Sequence, residues 1–422
     1  MPVEVITAED EVVTIQTFEQ GPPGPIGPQG PIGNPGSPSV VPGPPGPKGD
    51  PGAVPEAPTD GKIYGRRSSA WNEISGGTAA GLDALAYNGM QINGSFEINQ
   101  VGVMPRPVDG WLFSTAGTMV LSAGQTFGQL FPGLPYNFQA LVSAAQASLA
   151  TGDYVSLYQV IEGYRVARLA WGGVNAKPMT IGFWSKHVRP GLYSVGVRNG
   201  NATLSYVTTY TQNVADIAQF NVVTIPGCPN GVWPIDNTGG LLITFTMASG
   251  STYTAPTVNT WHPGNYFAAP GQVNAVASTS DIFRIGGVVV LPDAVALTPT
   301  QSPLIMRPRS QELELCKRYL EQSWGPYGLN DSVGGATVVA INSVRFAGSG
   351  LFTVPKRGTP TLTIYSPSNG AGGWVWTPGV DSYACNPPVL SPIGWGGFLD
   401  VTLGTPVFGQ TAMFHWRADA RF

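Results

Sequence analysis

Carboxylate side chains, which would supply the acids and bases of a hydrolase, are sparse in this chain of 422 residues. Hydrolysis of a glycosidic bond needs two carboxylates that converge on the bond. No glutamate lies between Glu162 and Glu312. The aspartates of that span and those after Glu321 stand beside turn residues, where an aspartate usually caps its own backbone. They are Asp216, Asp236, Asp281, Asp293, Asp331, Asp381, Asp400 and Asp419. The pattern predicts that the chain is not an enzyme, although a site assembled from several copies stays open.

The histidines and cysteines lack the spacing of a metal site or a catalytic dyad. The histidines are far apart, without the i,i+4 pair of an HExxH zinc helix, and we expect them at a surface or interface. The odd number of cysteines cannot be fully paired within one chain, and we interpret them as small apolar residues. These residues are His187, His262, His415, Cys228, Cys316 and Cys385. The sequence therefore predicts no metal and no cofactor.

Tryptophan and tyrosine rings in glycine-rich loops are the residues that could bind a sugar. A flat aromatic face suits the C–H groups of a sugar ring, and a large apolar group in a surface loop indicates binding. The loops NGAGGWVWTPG, IGWGGF and NTWHPGNYF carry such rings. The candidate glycan-binding residues are Trp374, Trp376, Tyr383, Trp395 and Trp261. The alternative is that these rings fill a core between copies of the chain, whereas Trp184 in TIGFWSK is interpreted as a core residue.

The overall composition excludes some functional classes and favours folded cores. Charged residues make up 11% and the net charge is −4, which argues against a nucleic-acid partner. No apolar run approaches the roughly 18 residues that would span a bilayer, so we expect no membrane insertion. The start MPVEVITAED lacks the lysines of a secretion signal. Hydrophobic residues at 42% are typical of a chain that builds cores.

Glycine occurs at every third position in most of residues 21–49, and this repeat indicates how many copies of the chain associate. Only glycine fits where three polyproline-II strands meet at a shared axis. The repeat consists of Gly21, Gly24, Gly27, Gly30, Gly33 and Gly36, and then Gly43, Gly46 and Gly49. It predicts a collagen-like triple-helical rod over residues 21–54 and hence a homotrimer. A flexible proline-rich linker does not predict the strict period.

Short β segments flank this rod. Residues 1–20 alternate β-branched and polar residues, which indicates one or two strands too short for a core of their own. We interpret them as an attachment tip, with a trimerisation plug as the alternative. Residues 55–84 contain a short strand around residues 63–64 and another around 71–74, which predicts a small β collar or linker.

Residues 85–309 are strand-rich almost throughout, and residues 310–422 begin with a helix. About ten short runs rich in Val, Ile, Thr, Tyr and Phe, among them MQINGSFEIN at 90–99 and ARLAW at 167–171, are separated by turn clusters and predict a jelly-roll-like β-sandwich over 85–309. Residues 138–149 suit a helix or a strand. The segment 310–322 predicts a short α-helix with Ser310 as its N-cap and Glu312 in its first turn. The strand-rich remainder predicts a C-terminal β domain.

Taken end to end, these segments resemble the collagen-like tail fibre proteins of tailed bacteriophages. The resemblance rests on the stretches EAPTDGKIYGRRSSAWNEI, NGMQINGSFEINQVG, YQVIEGYRVARLAWGG, KPMTIGFWSK and SQELELCKRYLEQSW. It implies a trimeric virion fibre with its N-terminal end on the particle and its C-terminal end towards the host. It also favours a strand for residues 138–149. Tail, neck and head fibres share such β domains, so the position on the virion stays open.

The sequence therefore predicts a mainly β, elongated homotrimer that serves as a non-enzymatic virion fibre. Residues 1–20 would contact another virion protein of the tail, neck or capsid, and the β domains would face the host. We expect weak, multivalent binding of a host surface glycan or receptor, in a virion assembled in the host bacterial cytoplasm. The alternatives are a head or neck decoration fibre without receptor binding and a polysaccharide depolymerase.

Overall fold

The computed structural model describes residues 64–67, 70–73, 82–102, 104–324, 335–377 and 380–422. The predicted tip at 1–20 and the predicted collagen-like rod at 21–54 lie outside the described residues. The chain divides into one unit up to Gly77 and a second from Thr78 to Phe422. In the first unit, strands β1 (Tyr64–Arg67) and β2 (Ala70–Glu73) pair antiparallel. This hairpin matches the two short strands predicted for the collar segment.

The first β domain of the second unit is a sandwich of two antiparallel sheets, as predicted. Its strands are β3 Leu112–Ala116, β4 Val120–Phe131, β5 Leu134–Ala144, β6 Tyr154–Glu162, β7 Met179–Ser185, β8 Gly191–Asn199, β9 Leu204–Gln212, β10 Gln219–Ile225, β11 Gly239–Ser249, β12 Trp261–Pro263 and β13 Ile282–Pro292. One sheet has the order β10-β7-β13-β5-β4, and the other has the order β12-β9-β8-β11-β6-β3. Residues 138–144 lie in β5, so the strand favoured by the resemblance is the correct alternative there.

Aromatic rings fill the space between the two sheets. Phe183 of β7 contacts Phe245 of β11 at 4.8 Å between ring centroids, and Phe113 of β3 contacts Phe138 of β5 at 5.6 Å. Each pair joins one sheet to the other. Because side chains alternate along a strand, the neighbours of these residues point away from the core. Trp184 is buried as predicted, between Phe131 and Phe220.

Two segments predicted as strands are not strands. Residues 90–99 follow helix α1 (Leu82–Asn88) as an irregular segment, in which Asn93 and Phe96 have φ of 51° and 59°. These left-handed conformations interrupt any ladder. In the ARLAW segment at 167–171, Ala167–Leu169 form a 3-10 turn directly after helix α2 (Gly163–Val166), because the chain turns here from β6 back towards β7. Further 3-10 turns lie at Ser251–Tyr253 and Ser302–Ile305.

The predicted helix at 310–322 is shorter than expected. Helix α3 spans Arg309–Lys317, and Pro308, which makes no side-chain cap, occupies the N-cap position predicted for Ser310. The helix ends early because Leu320–Gln322 form strand β14, which pairs with the last strand of the chain. Glu312 does lie in the first turn, as predicted.

The C-terminal β domain predicted for the strand-rich remainder is a closed sheet. Its strands are β15 Ala336–Asn342, β16 Arg345–Leu351, β17 Thr361–Tyr365, β18 Trp374–Thr377, β19 Val380–Cys385, β20 Val389–Ser391, β21 Gly394–Leu403 and β22 Thr411–Asp419. The path β22-β15-β16-β21-β19-β18 returns to β22 through the pair Trp376 and Met413. Closure gives one inner face, which Phe346, Leu399 and Phe414 fill.

Buried polar contacts join helix α3 and its flanks to the sandwich. Glu162 at the end of β6 accepts hydrogen bonds from Arg318 at 2.8 and 2.5 Å and from the Tyr319 hydroxyl at 2.9 Å. Glu312 accepts one from the Asn93 amide at 2.5 Å and pairs with Arg307 at 3.1 Å. Three of the stretches that carry the resemblance therefore meet here, which gives them a structural role.

Candidate functional site

The outer face of the six-stranded sheet carries polar side chains on neighbouring strands. Ser114 of β3 lies opposite Ser156 of β6, Tyr158 of β6 lies opposite Thr244 of β11, and Leu242 of β11 lies opposite Arg198 of β8. The residues between them on each strand point into the core. Because the outer face of an antiparallel sheet is free to meet solvent or a ligand, this row defines a candidate surface.

The segment 250–269 covers part of this outer face and forms one wall of a pocket. The Thr246 hydroxyl donates to the Phe267 carbonyl at 2.6 Å, and Ser194 Oγ accepts from the Ala269 amide at 2.8 Å. Gly196 allows this approach, since a Cβ atom there would stand 2.7 Å from the Phe267 Cα atom. The segment is thus pinned to β8 and β11, and the part of the face towards β3 stays uncovered.

Three aromatic rings form the wall of the pocket. Tyr154 meets Tyr253 edge-on at 5.0 Å and Phe267 edge-on at 5.4 Å between centroids, and Tyr253 stacks on Phe267 at 4.8 Å. The Tyr154 hydroxyl lies 2.9 Å from Ser114 Oγ. These contacts hold the rings in one orientation, with apolar faces and hydroxyl groups side by side.

Arg198 lies at the base of the pocket. Its Nη1 donates to Asn265 Oδ1 at 2.6 Å, its Nη2 donates to Thr244 Oγ1 at 2.9 Å, and its guanidinium carbon is 4.8 Å from the centre of the Phe267 ring. The residue is 7% exposed, and its Nε has no hydrogen-bond partner. Burial lowers the pKa of Arg198 to about 10, so the side chain stays cationic at neutral pH.

The pocket enclosed by these residues has a volume of about 140 Å³. This is smaller than the roughly 300–1,000 Å³ of clefts that bury a drug-sized ligand, so it suits a single terminal sugar unit. None of the described residues that line it is acidic. Its lining is Ser114, Tyr154, Ser156, Tyr158, Arg198, Leu242, Tyr253, Asn265 and Phe267. The arrangement can donate and accept hydrogen bonds around a small polar ring.

The predicted aromatic residues of the C-terminal domain divide into two groups. Trp374 and Trp376 are half-buried on one face of β18, opposite the buried Val375, so their i,i+2 spacing does place them side by side. Tyr383 and Trp395 are buried in the closed sheet beside Phe346 and Phe414. These two rings therefore lie on strands, where surface loops were expected, and Trp395 also lines a groove beside β16 and β21.

Trp261 lies on the short strand β12, where a loop was predicted. It is half-buried, and its ring meets Trp171 and Trp233 edge-on at 5.4 and 5.7 Å and Tyr206 at 5.2 Å. This cluster packs against the sandwich core. A second, larger groove of about 670 Å³ lies beside β16 and β21, with apolar side chains such as Leu351 and Val389 at its rim.

Sequence reasoning missed the pocket on the six-stranded sheet. One signal was present in DYVSLYQV, where Tyr154, Ser156 and Tyr158 alternate with apolar residues and therefore share a strand face. A second was Arg198, a charged residue within the otherwise apolar run LYSVGVR. The third component, the segment 250–269, approaches these strands only through tertiary packing.

The residues weighed for catalysis have structural partners. Asp236 and Asp281 accept hydrogen bonds from backbone amides within three residues, as the turn context predicted. His187 is buried, contrary to the expected surface position, because its ring stacks on Phe283 at 4.1 Å and bonds the Tyr210 hydroxyl at 2.8 Å. Across the described residues, no three His, Cys, Asp or Glu side chains are grouped to hold a metal ion. In the same residues, no helix is long and apolar enough to cross a membrane.

Comparison with known proteins gives only distant structural matches. No family model matches the chain, and no curated protein matches its sequence. The enzymatically active domain of tailspike protein 4 of bacteriophage CBA120 matches 49% of this chain and 22% of its own chain, with 13% identity and a TM-score of 0.28. A family 11 carbohydrate-binding module from Clostridium thermocellum, in complex with a mixed-linked tetrasaccharide, matches 47% and 95%, with 12% identity and a TM-score of 0.24. Scores this low do not establish a shared fold.

Proposed function

We propose that this chain is a non-enzymatic, homotrimeric virion fibre that attaches to a host surface glycan through the outer face of its sandwich. The observation that supports the proposal is the pocket in which Tyr154, Tyr253 and Phe267 stand beside hydroxyl, amide and guanidinium groups. Sugars present C–H faces and hydroxyl groups together, so a lining of this kind complements them. The glycine repeat of residues 21–54 supports the trimer.

The small volume of the pocket, about 140 Å³, fits weak binding by each copy. A trimer would present three such pockets, and several fibres on one particle would raise the effective concentration further. In this proposal residues 1–20 contact the virion and the β domains face the host. Light scattering at micromolar concentration tests the trimer. A mass near three times the 44.2 kDa of one chain supports it, and a monomer contradicts it.

The proposal contains no catalytic step. A glycosidase of either stereochemical class needs two carboxylates across the scissile bond, and the described lining of the pocket offers none. Incubation with host polysaccharide tests the depolymerase alternative. We expect no release of reducing ends, and a release that persists in purified protein would contradict the proposal.

Adsorption of the purified full chain to host cells tests the attachment role. Tyr154→Ala removes one ring of the pocket wall, and we expect about a tenfold or greater loss of binding, since buried aromatic anchors dominate small interfaces. Tyr164→Ala is the matched control, because Tyr164 is 62% exposed on α2 and does not line the pocket. Equal loss in both variants would contradict the placement of the site.

Competition with virus distinguishes a head or neck decoration fibre from an attachment fibre. An attachment fibre at saturating concentration blocks infection, because it occupies the receptor. A decoration fibre leaves infection unchanged. Normal infection in the presence of saturating, cell-bound protein would favour the decoration alternative.

A further inference from the structure

Arg198 differs from other buried cations of this chain in the groups that surround it. Arg307 pairs with Glu312 and Lys356 pairs with Glu321, so these two buried charges are neutralised by carboxylates. Arg198 donates its side-chain hydrogen bonds to the neutral oxygens of Asn265 and Thr244. Taking a cation out of water costs several kcal/mol unless an opposite charge offsets it. The pocket therefore holds a positive charge without a negative partner among the described residues.

Arg198 lines the pocket and has N–H groups that the protein does not use. The guanidinium has five N–H groups, and the protein uses one on Nη1 and one on Nη2. Its Nε is buried and lacks a partner. A carboxylate binds the fork of a guanidinium group with two parallel hydrogen bonds. The Phe267 ring, 4.8 Å from the guanidinium carbon, holds the fork in place.

Tyr158 lies beside Arg198 on the sheet face. Tyr158 lines the pocket, and both Arg198 and Arg106 lie close enough to influence its hydroxyl. Arg106 donates to the Phe422 carbonyl, and its buried Nε also lacks a partner. Arg198 takes part in no ion pair in the described part of the chain, whereas Asp419 and Arg421 both lie near Arg106. An anion over Tyr158 would thus meet the unpaired charge of Arg198.

We propose that the pocket recognises an acidic sugar, and that Arg198 binds its carboxylate. The ring of the sugar lies against Tyr154, and its hydroxyl groups meet Ser114, Ser156 and Tyr158. This inference rests on the proposed glycan binding and specifies the ligand class of the same site. A purely structural role for Arg198, which would hold segment 250–269 on the sheet through Asn265, is the competing explanation.

Titration of the full chain with two monosaccharides separates the explanations. The probes are D-glucuronate and D-glucose, which share a ring and differ in the carboxylate, with inorganic phosphate as an anion that lacks a sugar ring. We expect glucuronate to bind at least about tenfold more tightly than glucose or phosphate, because a charge-assisted pair at a desolvated site adds to the contacts of the ring. Equal affinity for glucuronate and glucose would overturn the inference, and equal affinity for phosphate and glucuronate would reduce it to general anion binding.

Variants of Arg198 then assign the effect to this residue. Arg198→Gln removes the charge, and we expect the preference for glucuronate over glucose to be lost. Arg198→Lys keeps the charge but loses the bidentate fork, and we expect an intermediate affinity. Arg168→Gln, an exposed arginine outside the pocket, is the control. Unchanged preference for glucuronate in a folded Arg198→Gln variant would overturn the assignment.

Host polysaccharide, native and chemically carboxyl-reduced, separates this inference from the proposed function and needs no variant. Binding of the native form alone supports both. Equal binding of both forms overturns the acidic ligand and leaves glycan attachment in place. Binding of neither form contradicts the proposed function itself.

Discussion

Single buried side chains explain much of how this chain is held together. Glu162 and Glu321 each neutralise a cation from another segment, and His187 is neutral and stacked between aromatic rings. The burial of such groups was not predictable, because the sequence shows a residue type and not its depth. The role of Arg198 was equally unpredictable, because the groups that surround its side chain come from strands 40 or more residues away in the chain.

Glu162→Gln tests the polar link between the sandwich and helix α3. The variant removes the negative charge that accepts two hydrogen bonds from Arg318 and one from Tyr319. We expect the free energy of unfolding, measured by urea titration, to fall by about 2–4 kcal/mol, because a buried pair is broken from one side. Asp400→Asn is the control, since Asp400 pairs with Arg345 on the surface. Its cost should stay below about 1 kcal/mol.

His187 makes the fold sensitive to acid. Burial, with Arg284 nearby, holds the pKa of His187 well below its usual value. Its Nδ1 accepts from the Arg284 amide at 3.3 Å, so a proton on Nδ1 would face this N–H donor. A depressed folded pKa means that the unfolded chain binds the proton first, so stability is complete above about pH 6.5 and falls as the pH drops below it.

The prediction for His187→Gln is a flatter dependence of stability on pH between about 6.5 and 5. Urea midpoints at a series of pH values provide the measurement. His262→Gln serves as the control, because that ring is half-exposed and bonds Thr257 near the surface. If His187→Gln kept the full wild-type slope, other groups would account for the acid sensitivity.

At the scale of elements, the sequence predicted strands well and irregular core segments badly. Period-two alternation marks β6, β8 and β9 because one sheet face is buried. The same apolar residue types in 90–99 predicted a strand. Positive φ angles at Asn93 and Phe96 instead make this an irregular segment that packs against the sandwich. Helix α3 ends at Lys317 because Leu320–Gln322 form strand β14 of the closed sheet.

Gly94→Ala tests the packing of residues 90–99 against the sandwich. A Cβ atom at residue 94 would stand 2.0 Å from the Val288 carbonyl oxygen in β13, so backbone would have to move. We expect a loss of about 3 kcal/mol or more in the free energy of unfolding, measured by urea titration. Gly124→Ala in β4 is the matched control, because nothing lies within 4 Å of its added methyl group. Equal effects of the two substitutions would contradict the close approach.

At the scale of the whole molecule, the sequence and the structure contribute different parts of the proposal. The glycine repeat predicts three chains, and it lies outside the described residues. The pocket could not be predicted, because β3, β6, β8, β11 and the segment 250–269 contribute to it from over 150 residues of chain. The sequence-predicted pair Trp374 and Trp376 stays a second candidate surface on β18.

Hydrogen–deuterium exchange of the full chain with and without saturating host polysaccharide locates the bound glycan. We expect slower exchange at residues 154–158, 194–198 and 250–269, since a ligand in the pocket restrains those strands and the covering segment. Residues 374–377 should be unchanged. Protection confined to residues 374–377, or no protection in either region despite measured binding, would contradict the site proposed on the six-stranded sheet.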